Sequence, residues 1–308
     1  MNKMRKLITV LLMGILLFCT ACKFQTSTVT PSELPNEEIS SNTSQNVDSE
    51  EPTENPVEPP PVIQEEPEPL PEIDNNAING TGEKTSIGFG VLMTTDETQP
   101  GVPQAWINIF QQYQGYYVIP TQEKKIYLTF DLGYESGFTN SLLDTLSTLK
   151  IPGTFFLLGQ YIEKNPDIVK RIVSEGHAVG NHSYIHDSIP TLTKEEIIAD
   201  AQHCQQLFYD LTNQETHLYR PPKGEFSEYS LSVIHQLGYK SFFWSVAYQD
   251  WVALPGGPGE SYETVMKHIH PGAIVLMHVV TDDNVLALPR IVQSLTEKGY
   301  TFASLDEI

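Results

Sequence analysis

Cysteine is scarce in this chain, with three among 308 residues, and two of them, Cys19 and Cys22, lie close together near the N-terminus. A disulfide framework of the kind that holds small secreted domains together is therefore excluded. The third, Cys204, lies in a stretch with helical spacing, where a small core side chain is favoured over a thiol nucleophile. The about 220 residues from Ile87 onward are enough for one large domain with a hydrophobic core.

Basic residues are also few: 18 Lys and Arg stand against 39 Asp and Glu, giving a formal net charge of -21. Residues 23–84 carry fourteen acidic residues against two lysines, a net charge of minus twelve. The first 22 residues carry plus three, so residues 85–308 hold the other minus twelve. The sequence has no basic stripe, which argues against nucleic acid as a partner and leaves a neutral or cationic glycan open.

The sequence has no hydrophobic run long enough to cross a bilayer as a helix. The longest apolar stretch runs from Leu7 to Phe18, whereas a membrane core needs roughly 20 apolar residues. Basic residues precede this stretch, at Lys3, Arg5 and Lys6. The pattern predicts a signal peptide over residues 1–22.

The end of this predicted signal, Cys19-Thr20-Ala21-Cys22, resembles a bacterial lipobox, although leucine is usual where Cys19 stands. The resemblance implies a lipid on Cys22 and a lipid-anchored protein at the extracytoplasmic face of the bacterial cell membrane. Ordinary cleavage and an uncleaved anchor are the alternatives. Stable anchoring takes more than one acyl chain, since a single chain binds weakly.

Residues 23–85 are rich in proline, serine, threonine and acidic side chains. Such a segment buries too little apolar surface to offset the entropy of ordering it, so we predict a disordered, extended tether. We predict that residues 86–124 form an N-terminal extension of the folded domain and that residues 125–308 form the domain itself.

Helical segments and short apolar runs alternate through the rest of the chain. Asn165-Pro166 is typical of a helix start, and glycines such as Gly176, Gly238 and Gly299 are typical of helix ends. Thr193 and Glu196 have the spacing of a capping box. A repeat of helix, glycine and apolar strand predicts an α/β protein with a mostly parallel sheet.

Four of the apolar runs end in a polar residue, namely Asp131, His182, Arg220 and His278. In an α/β barrel, the C-terminal ends of the parallel strands surround one mouth, so we predict a single active site there. His186 follows His182 by four residues, and on a helical turn both imidazoles would project from one face. Neutral imidazole is a favoured ligand of zinc and related ions, so this pair is a candidate metal site.

These residues belong to five ordered motifs, which lie between residues 129 and 278. The motifs are Thr129-Phe130-Asp131, His182-Ser183-x-x-His186, Arg220-Pro221-Pro222-Lys223-Gly224, Asp250-Trp251 and Leu276-Met277-His278. The set resembles the polysaccharide deacetylases, also called the NodB-homology or carbohydrate esterase family 4 group. It is most similar to the muramic acid deacetylase type that acts in making spore-cortex δ-lactam. The resemblance implies a distorted (β/α) barrel of the NodB-homology type.

The resemblance also implies an activity, the hydrolysis of N-acetyl groups from amino sugars of cell-wall peptidoglycan, with release of acetate and N-acetylmuramic acid as the favoured sugar. Amide hydrolysis needs an activated water, stabilisation of the oxyanion and a proton for the leaving nitrogen. The implied base is Asp131, held by Arg220, and the implied acid is His278, oriented by Asp250. A purely structural Asp131–Arg220 ion pair is the alternative interpretation.

The remaining implied parts are a metal ion, a substrate pocket and a partner. A divalent ion, zinc before cobalt or manganese, would bind His182 and His186. Trp251 and Leu276 would form the wall of the substrate pocket around the acetyl methyl group, and Pro222 would also line that pocket. For muramic acid as substrate, the lactyl group must be freed of peptide before lactam closure, which implies a partner muramoyl amidase.

One position departs from the wider family pattern. Many members carry a second aspartate directly after the base, as a third metal ligand, and this chain has Leu132 there. The δ-lactam type lacks this carboxylate as well.

Two further alternatives for the function stay open: a deacetylase acting on N-acetylglucosamine in peptidoglycan or another polysaccharide, and a catalytically weak scaffold that binds glycan.

Overall fold

The computed structural model of the chain describes residues 69–308. Within this part, ten β-strands are present: β1 (Ile87–Gly88), β2 (Gly115–Tyr116), β3 (Lys125–Leu132), β4 (Thr154–Leu157), β5 (Ala178–Asn181), β6 (Leu218–Tyr219), β7 (Glu225–Phe226), β8 (Lys240–Phe242), β9 (Ile274–His278) and β10 (Thr301–Ala303). The eight α-helices of this part are α1 (Gln104–Gln112), α2 (Thr139–Leu149), α3 (Gly159–Lys164), α4 (Pro166–Ser174), α5 (Lys194–Thr212), α6 (Glu228–Gln236), α7 (Gly257–His268) and α8 (Asp283–Glu297). Short 3-10 helices cover Ile189–Thr191, Pro222–Gly224 and Leu305–Glu307.

Eight of the strands form one parallel sheet with the order β10-β3-β4-β5-β6-β8-β2, and β9 pairs with β3. A parallel bridge between Val246, just after β8, and Val275 in β9 curls the sheet round and closes it. The sheet is distorted because β10 pairs with the first half of β3 and β4 with its second half. Strands β1 and β7 form a separate antiparallel pair. The predicted α/β architecture is confirmed.

The side chains of β3 alternate between two apolar environments. Ile126, Leu128 and Phe130 belong to the core that contains the leucines of α2, whereas Tyr127 packs with side chains of β4, β8 and β9 inside the curl of the sheet. Successive strand residues point to opposite faces. Asp131 therefore lies on the same inner face as Tyr127, four residues closer to the C-terminal end of the strand.

The predicted helix boundaries agree with the structure. Pro166 is the first residue of α4 and Gly176, with φ 82°, follows its end. Thr193 accepts a hydrogen bond from the Glu196 backbone N–H and forms a capping box at the start of α5. The positive φ of Gly176 lies in the left-handed region, which costs a residue with a Cβ about 1 kcal/mol.

The folded domain begins earlier than the predicted boundary at residue 86. Ile78 is buried, the Asn79 N–H donates to Gln236, and the Thr81 N–H donates to Ser232 on α6. The segment before Gly82 is thus part of the domain rather than of the tether. Its hydrogen-bond partners lie far away in the sequence, on α6 and, for Asn75 and Ile78, on α5.

The predicted extension, residues 86–124, packs on the barrel through aromatic side chains. Phe89 and Phe243 have ring centroids 4.6 Å apart, and Phe110 and Phe226 5.3 Å apart. The predicted signal peptide, the predicted lipid site and residues 23–68 of the predicted tether lie outside the described residues. Among residues 69–308, no helix combines the length and the apolar character needed to cross a membrane.

Candidate active site

The C-terminal ends of the parallel strands open into a cavity of about 910 Å³. Asp131 near the end of β3 and His278 at the end of β9 are register partners on neighbouring strands. His182 follows β5 directly, and Arg220 follows β6. The structure therefore brings together, at one mouth, the four polar residues that the sequence places at strand ends.

Six of the predicted site residues line the cavity: Asp131, His182, His186, Trp251, Leu276 and His278. Arg220 and Asp250 are buried behind this surface. The predicted pocket residue Pro222 is buried too, and its neighbour Pro221 lines the cavity instead. Pro222 begins the short 3-10 turn Pro222–Gly224 and is not among the residues that line the cavity, so its predicted place in the substrate pocket is not borne out.

Arg220 is fully buried, and its guanidinium is held by donated hydrogen bonds. Its Nη1 donates to the Asp131 carboxylate at 2.6 Å and to the Thr129 hydroxyl at 3.0 Å. Its Nε and Nη2 donate to the backbone carbonyls of Phe242 and Phe243, both at 3.1 Å. A buried ion pair needs such additional partners to offset the desolvation of both charges. The arrangement fixes Asp131 through its Oδ1.

The carboxyl of Asp131 is held in its ionised form. Burial raises the pKa of this carboxyl, but the Arg220 guanidinium and then the imidazoles of His182 and His278 lower it by more, so that it lies below the ordinary value. Since Oδ1 accepts from Arg220 at 2.6 Å, Oδ2 is the oxygen that remains for a reacting proton. This Oδ2 lies 3.5 Å from His182 Nε2.

His182 is oriented by its other ring nitrogen. Nδ1 lies 2.8 Å from the Arg220 carbonyl oxygen, and because a carbonyl only accepts, Nδ1 carries the hydrogen. The lone pair of the neutral ring is then on Nε2, which faces the cavity side where Asp131 lies. This is the arrangement by which a second partner orients a metal-binding imidazole.

His186 lies beside His182, with ring centroids 4.9 Å apart. Burial lowers the pKa of His182, and burial followed by the charge of His182 lowers the pKa of His186 to about 4. Both imidazoles are therefore neutral at physiological pH. Neutral imidazoles are the form that coordinates a metal ion.

The predicted helical turn between these histidines is wrong. Residues 182–186 form a loop in which Ser183 has φ 73° and His186 has φ 67°, both in the left-handed region. Three hydrogen bonds hold it: Ser183 N–H to Asn181 Oδ1, His186 N–H to Ser183 Oγ, and Tyr184 N–H to the Asp200 carboxylate. The two rings come together through this strained loop, and the strain is held by these partners.

A divalent metal ion fits the donor set of this loop. His182 and His186 offer two neutral imidazole nitrogens, the ligands that zinc and related ions favour. Leu132, where a third carboxylate would stand, is 2% exposed and lines the cavity without any donor atom. Over residues 69–308, no group of three or more His, Cys, Asp or Glu is placed to hold a metal ion. The described chain thus provides two nitrogen ligands, with Asp131 Oδ2 beside them.

His278 forms the opposite side of the site. Its Nδ1 lies 2.7 Å from Asp250 Oδ1, and its backbone N–H donates to Asp250 Oδ2 at 2.8 Å. Burial lowers the pKa of His278, but the hydrogen bond and charge of Asp250 raise it by more, so that it lies above the ordinary value. His278 therefore favours the charged form, and the Nδ1–H donated to Asp250 leaves Nε2–H for the cavity.

The sequence gives no signal for Asn284, which completes this side. Its amide nitrogen donates to Asp250 Oδ2 at 2.7 Å and to the His278 carbonyl at 2.9 Å. Its amide oxygen accepts from the hydroxyls of Tyr248 and Ser261, both at 2.7 Å. Asn284 lies on α8, so it holds Asp250 from a different element.

Two apolar side chains flank His278. Trp251 is 54% exposed and its ring meets the His278 ring edge-on, with centroids 5.7 Å apart. Leu276 is buried in β9 and reaches the cavity wall. Together they form an apolar surface beside His278, as the sequence predicts.

The site defines a class of protein: an α/β barrel hydrolase with an aspartate and a histidine on neighbouring strands beside a candidate metal-binding imidazole pair. The family model for polysaccharide deacetylase matches residues 119–242. Peptidoglycan-N-acetylmuramic acid deacetylase PdaA of Bacillus subtilis is 38% identical over 224 residues, which are 72% of this chain and 85% of that protein. The chain belongs to the polysaccharide deacetylase family, whose members are generally metal-dependent.

Three solved or curated relatives illustrate the range within the family. The structure of Bacillus subtilis PdaA, a family 4 carbohydrate esterase, has a TM-score of 0.71 and 37% identity, and covers 73% of this chain and 97% of its own. A peptidoglycan-N-acetylglucosamine deacetylase of Bacillus cereus is 31% identical over 70% of this chain and 78% of its own. A pseudoenzyme of the same family from Bacillus anthracis has a TM-score of 0.60 and 30% identity, over 63% of this chain and 68% of its own.

Proposed function

We propose that this protein is a metal-dependent N-deacetylase of peptidoglycan that acts on N-acetylmuramic acid and releases acetate. The observation that carries the proposal is the pairing of Asp131 with His278 on adjacent strands. Their surroundings move the two pKa values in opposite directions, down for the carboxyl and up for the imidazole. Two titratable groups separated in this way are the mark of an acid and a base with assigned roles.

Asp131 acts as the general base. Its Oδ1 is held by Arg220 at 2.6 Å, so Oδ2 accepts the proton of the water that attacks the acetyl carbonyl. The carboxylate is ionised at neutral pH and needs no rearrangement to accept this proton, because the guanidinium already fixes its plane. A positioned base contributes about 10²- to 10⁴-fold to such a step.

His278 acts as the general acid. Asp250 accepts from its Nδ1–H at 2.7 Å and favours the imidazolium, so the Nε2–H faces the cavity and protonates the leaving amine. Trp251 and Leu276 enclose the acetyl methyl group and exclude water from that side. The products are acetate and the free amine of the sugar.

A divalent metal ion held by His182 and His186 would lower the pKa of the attacking water and polarise the acetyl carbonyl. We propose zinc as the ion, before cobalt or manganese, because neutral imidazole is a preferred zinc ligand. The chain's own contribution is to keep both rings neutral and to orient His182 through the Arg220 carbonyl.

Muramic acid is favoured over glucosamine because the chain is 38% identical to the Bacillus subtilis muramic acid enzyme and 31% identical to the Bacillus cereus glucosamine enzyme. We also propose, from the sequence alone, a lipid on Cys22 that holds the protein outside the cell membrane. A muramoyl amidase that frees the lactyl group of peptide would act first. The second candidate function is a glycan-binding scaffold, favoured by Leu132 and by the likeness to the Bacillus anthracis pseudoenzyme.

The test is mass spectrometry of muropeptides and of peptide-free glycan strands after incubation with the purified full-length protein. We expect the loss of one acetyl mass, located on muramic acid by fragmentation. The Asp131→Asn variant should be slower by at least about 10²-fold. A chelator should abolish the reaction, and one divalent ion should restore it. No acetyl loss with zinc, cobalt or manganese supplied would support the scaffold function. Acetyl loss located on glucosamine would replace muramic acid by glucosamine as the substrate sugar.

A further inference from the structure

The cavity contains one cationic side chain whose function the proposed mechanism does not explain. Among the residues that line it, Lys223 is the single lysine or arginine. The other nearby cation, Arg220, is fully buried and paired with Asp131. Within residues 69–308, the lysine and arginine ion pairs are formed by other residues, and the Lys223 side chain is exposed. This ammonium group is therefore available to a ligand in the cavity.

The backbone that carries Lys223 is rigid. Pro221 and Pro222 precede it, and Gly224, with φ 66°, donates its N–H to the Pro221 carbonyl at 3.1 Å. A Cβ on Gly224 would lie 2.7 Å from the Trp244 ring, so the turn is packed against the aromatic cluster. Lys223 itself has φ 59° and ψ 5°. A lysine kept in the left-handed region costs about 1 kcal/mol, a strain that is typical of functional sites.

Lys223 also lies close to the reacting centre. It lines the same cavity as Asp131, His186 and His278. A substrate whose acetyl group reaches Asp131 and His278 would therefore place the neighbouring atoms of its sugar ring near this ammonium group. In an N-acetylated amino sugar, those atoms include the substituent on C3, the ring carbon next to the acetylated one.

We propose that Lys223 binds a carboxylate of the substrate, the free lactyl carboxylate on C3 of a muramic acid residue. This inference rests on the proposed function and assigns its specificity to one side chain. N-acetylglucosamine has a hydroxyl at this position, and a lactyl group still joined to peptide is an uncharged amide. Neither offers the ammonium group a charged partner, so both lose the ion pair. The assignment also sets an order, since a hydrolase that cleaves the lactyl–peptide amide must supply this substrate.

The surrounding charge makes this contact selective. Residues 85–308 carry a net charge of minus twelve, so a carboxylate is repelled by most of the domain and needs a dedicated cation. Lys223 is exposed, and so the contact is screened by salt. A wild-type preference for the anionic substrate should therefore weaken as the salt concentration rises.

The experiment compares two substrates that differ in one charge: peptide-free glycan strands, and the same strands with the lactyl carboxylate converted to a methyl amide. We expect the metal-loaded wild-type protein to prefer the free carboxylate by about tenfold in kcat/KM, which corresponds to about 1.4 kcal/mol. The Lys223→Gln variant should bring the ratio close to one, and Lys223→Arg should keep most of it. Lys150→Gln is the matched control, because Lys150 is also exposed and left-handed, with φ 55°, and lies at the end of α2 away from the cavity.

A ratio that is the same in wild type and Lys223→Gln would overturn the inference and leave the deacetylase intact. If the wild-type protein removes acetyl groups from neither substrate, the proposed function fails, and calorimetric binding of the two strands decides the inference separately. Tighter binding of the free carboxylate that disappears in Lys223→Gln supports it. Equal binding of both strands by both proteins contradicts it.

Discussion

The two sides of the catalytic cavity are built by different means. The base side consists of Asp131, Arg220 and His182, and each of these lies on a strand or directly after one, with backbone carbonyls as further partners. The acid side consists of His278 on a strand, Asp250 on a loop and Asn284 on a helix. The proposed base is thus held by the sheet itself, whereas the proposed acid is held by a side-chain network that joins three kinds of element.

The two sides should therefore differ in rigidity, with the base side fixed and the acid side able to adjust. On the base side, the guanidinium of Arg220 is surrounded by fixed acceptors, and removal of any partner leaves a buried charge without compensation. On the acid side, neutral and charged side chains share the hydrogen bonds, and His278 retains some exposure. We expect substitutions on the base side to affect folding most, and substitutions on the acid side to affect the pH dependence and rate.

The largest effect is expected from Arg220→Met, which leaves the carboxylate of Asp131 buried and unpaired. The free energy of unfolding should fall by about 3–5 kcal/mol, as measured by chemical denaturation. The control is Arg171→Met, which breaks half-exposed ion pairs with Asp144 and Glu175 and should cost at most about 1 kcal/mol. The double variant Arg220→Met with Asp131→Asn should recover part of the loss. Equal costs at Arg220 and Arg171 would refute the contrast between buried and surface pairs.

Asp250→Asn should change the pH dependence of the acid side. Asp250 raises the pKa of His278, so the wild-type acid is fully protonated below the ordinary histidine value and loses its proton, and the rate, as the pH rises through the raised value. Without that charge, burial dominates and lowers the pKa, so the alkaline fall in kcat should move to lower pH. At neutral pH, kcat should decrease by about 10²-fold.

The measurement is the pH profile of acetate release, with Asp282→Asn as the control. Asp282 is exposed and makes no side-chain capping hydrogen bond at α8, so its profile should match the wild type. Asp250 also stabilises the fold through its contact with His278. This contribution to stability is present below the ordinary histidine pKa and is lost as the pH rises through the raised pKa of His278. An unshifted profile for Asp250→Asn would remove His278 from the role of acid.

The smallest effect is expected from Asn284→Ala, which removes the hydrogen bonds donated to Asp250 and to the His278 carbonyl. Stability should fall by about 1–3 kcal/mol, and kcat several-fold, with little change in KM, because the acid is misplaced while the sugar contacts remain. Denaturation and steady-state kinetics measure both. Asn108→Ala, on the surface helix α1, should change neither quantity. A change confined to KM would show that Asn284 affects binding instead.

The sequence predicts the base side better than the acid side, for a physical reason. Asp131, His182 and Arg220 end apolar runs, and parallel strands bring such ends together without further information. Asn284 has no comparable signal, because its contacts to Asp250 depend on how α8 packs over a loop 34 residues earlier in the chain. The pair His182 and His186 is predicted as neighbours, but through a helical turn that the left-handed residues Ser183 and His186 replace.

Local turn geometry accounts for the other differences. Pro221 and Pro222 are adjacent prolines of one motif, and the motif alone does not tell which of them reaches the cavity; in the structure Pro221 lines it, and Pro222 begins the 3-10 turn. The domain boundary is earlier than predicted because Asn79 and Thr81 find their partners on α6, more than 150 residues later. Amino-acid composition, on which the predicted boundary is based, contains no information about such long-range contacts.

The pairing of β3 with β9 has a consequence for how this active site can diversify. Asp131 and His278 are register partners, so the separation of their backbones is set by the spacing of hydrogen-bonded strands, about 4.8 Å. Loop length and loop sequence do not enter that distance. The rim of the cavity can therefore be rebuilt for a different sugar while the backbone positions of these two residues stay constant, whereas a one-residue slip of β9 would turn His278 away from the cavity.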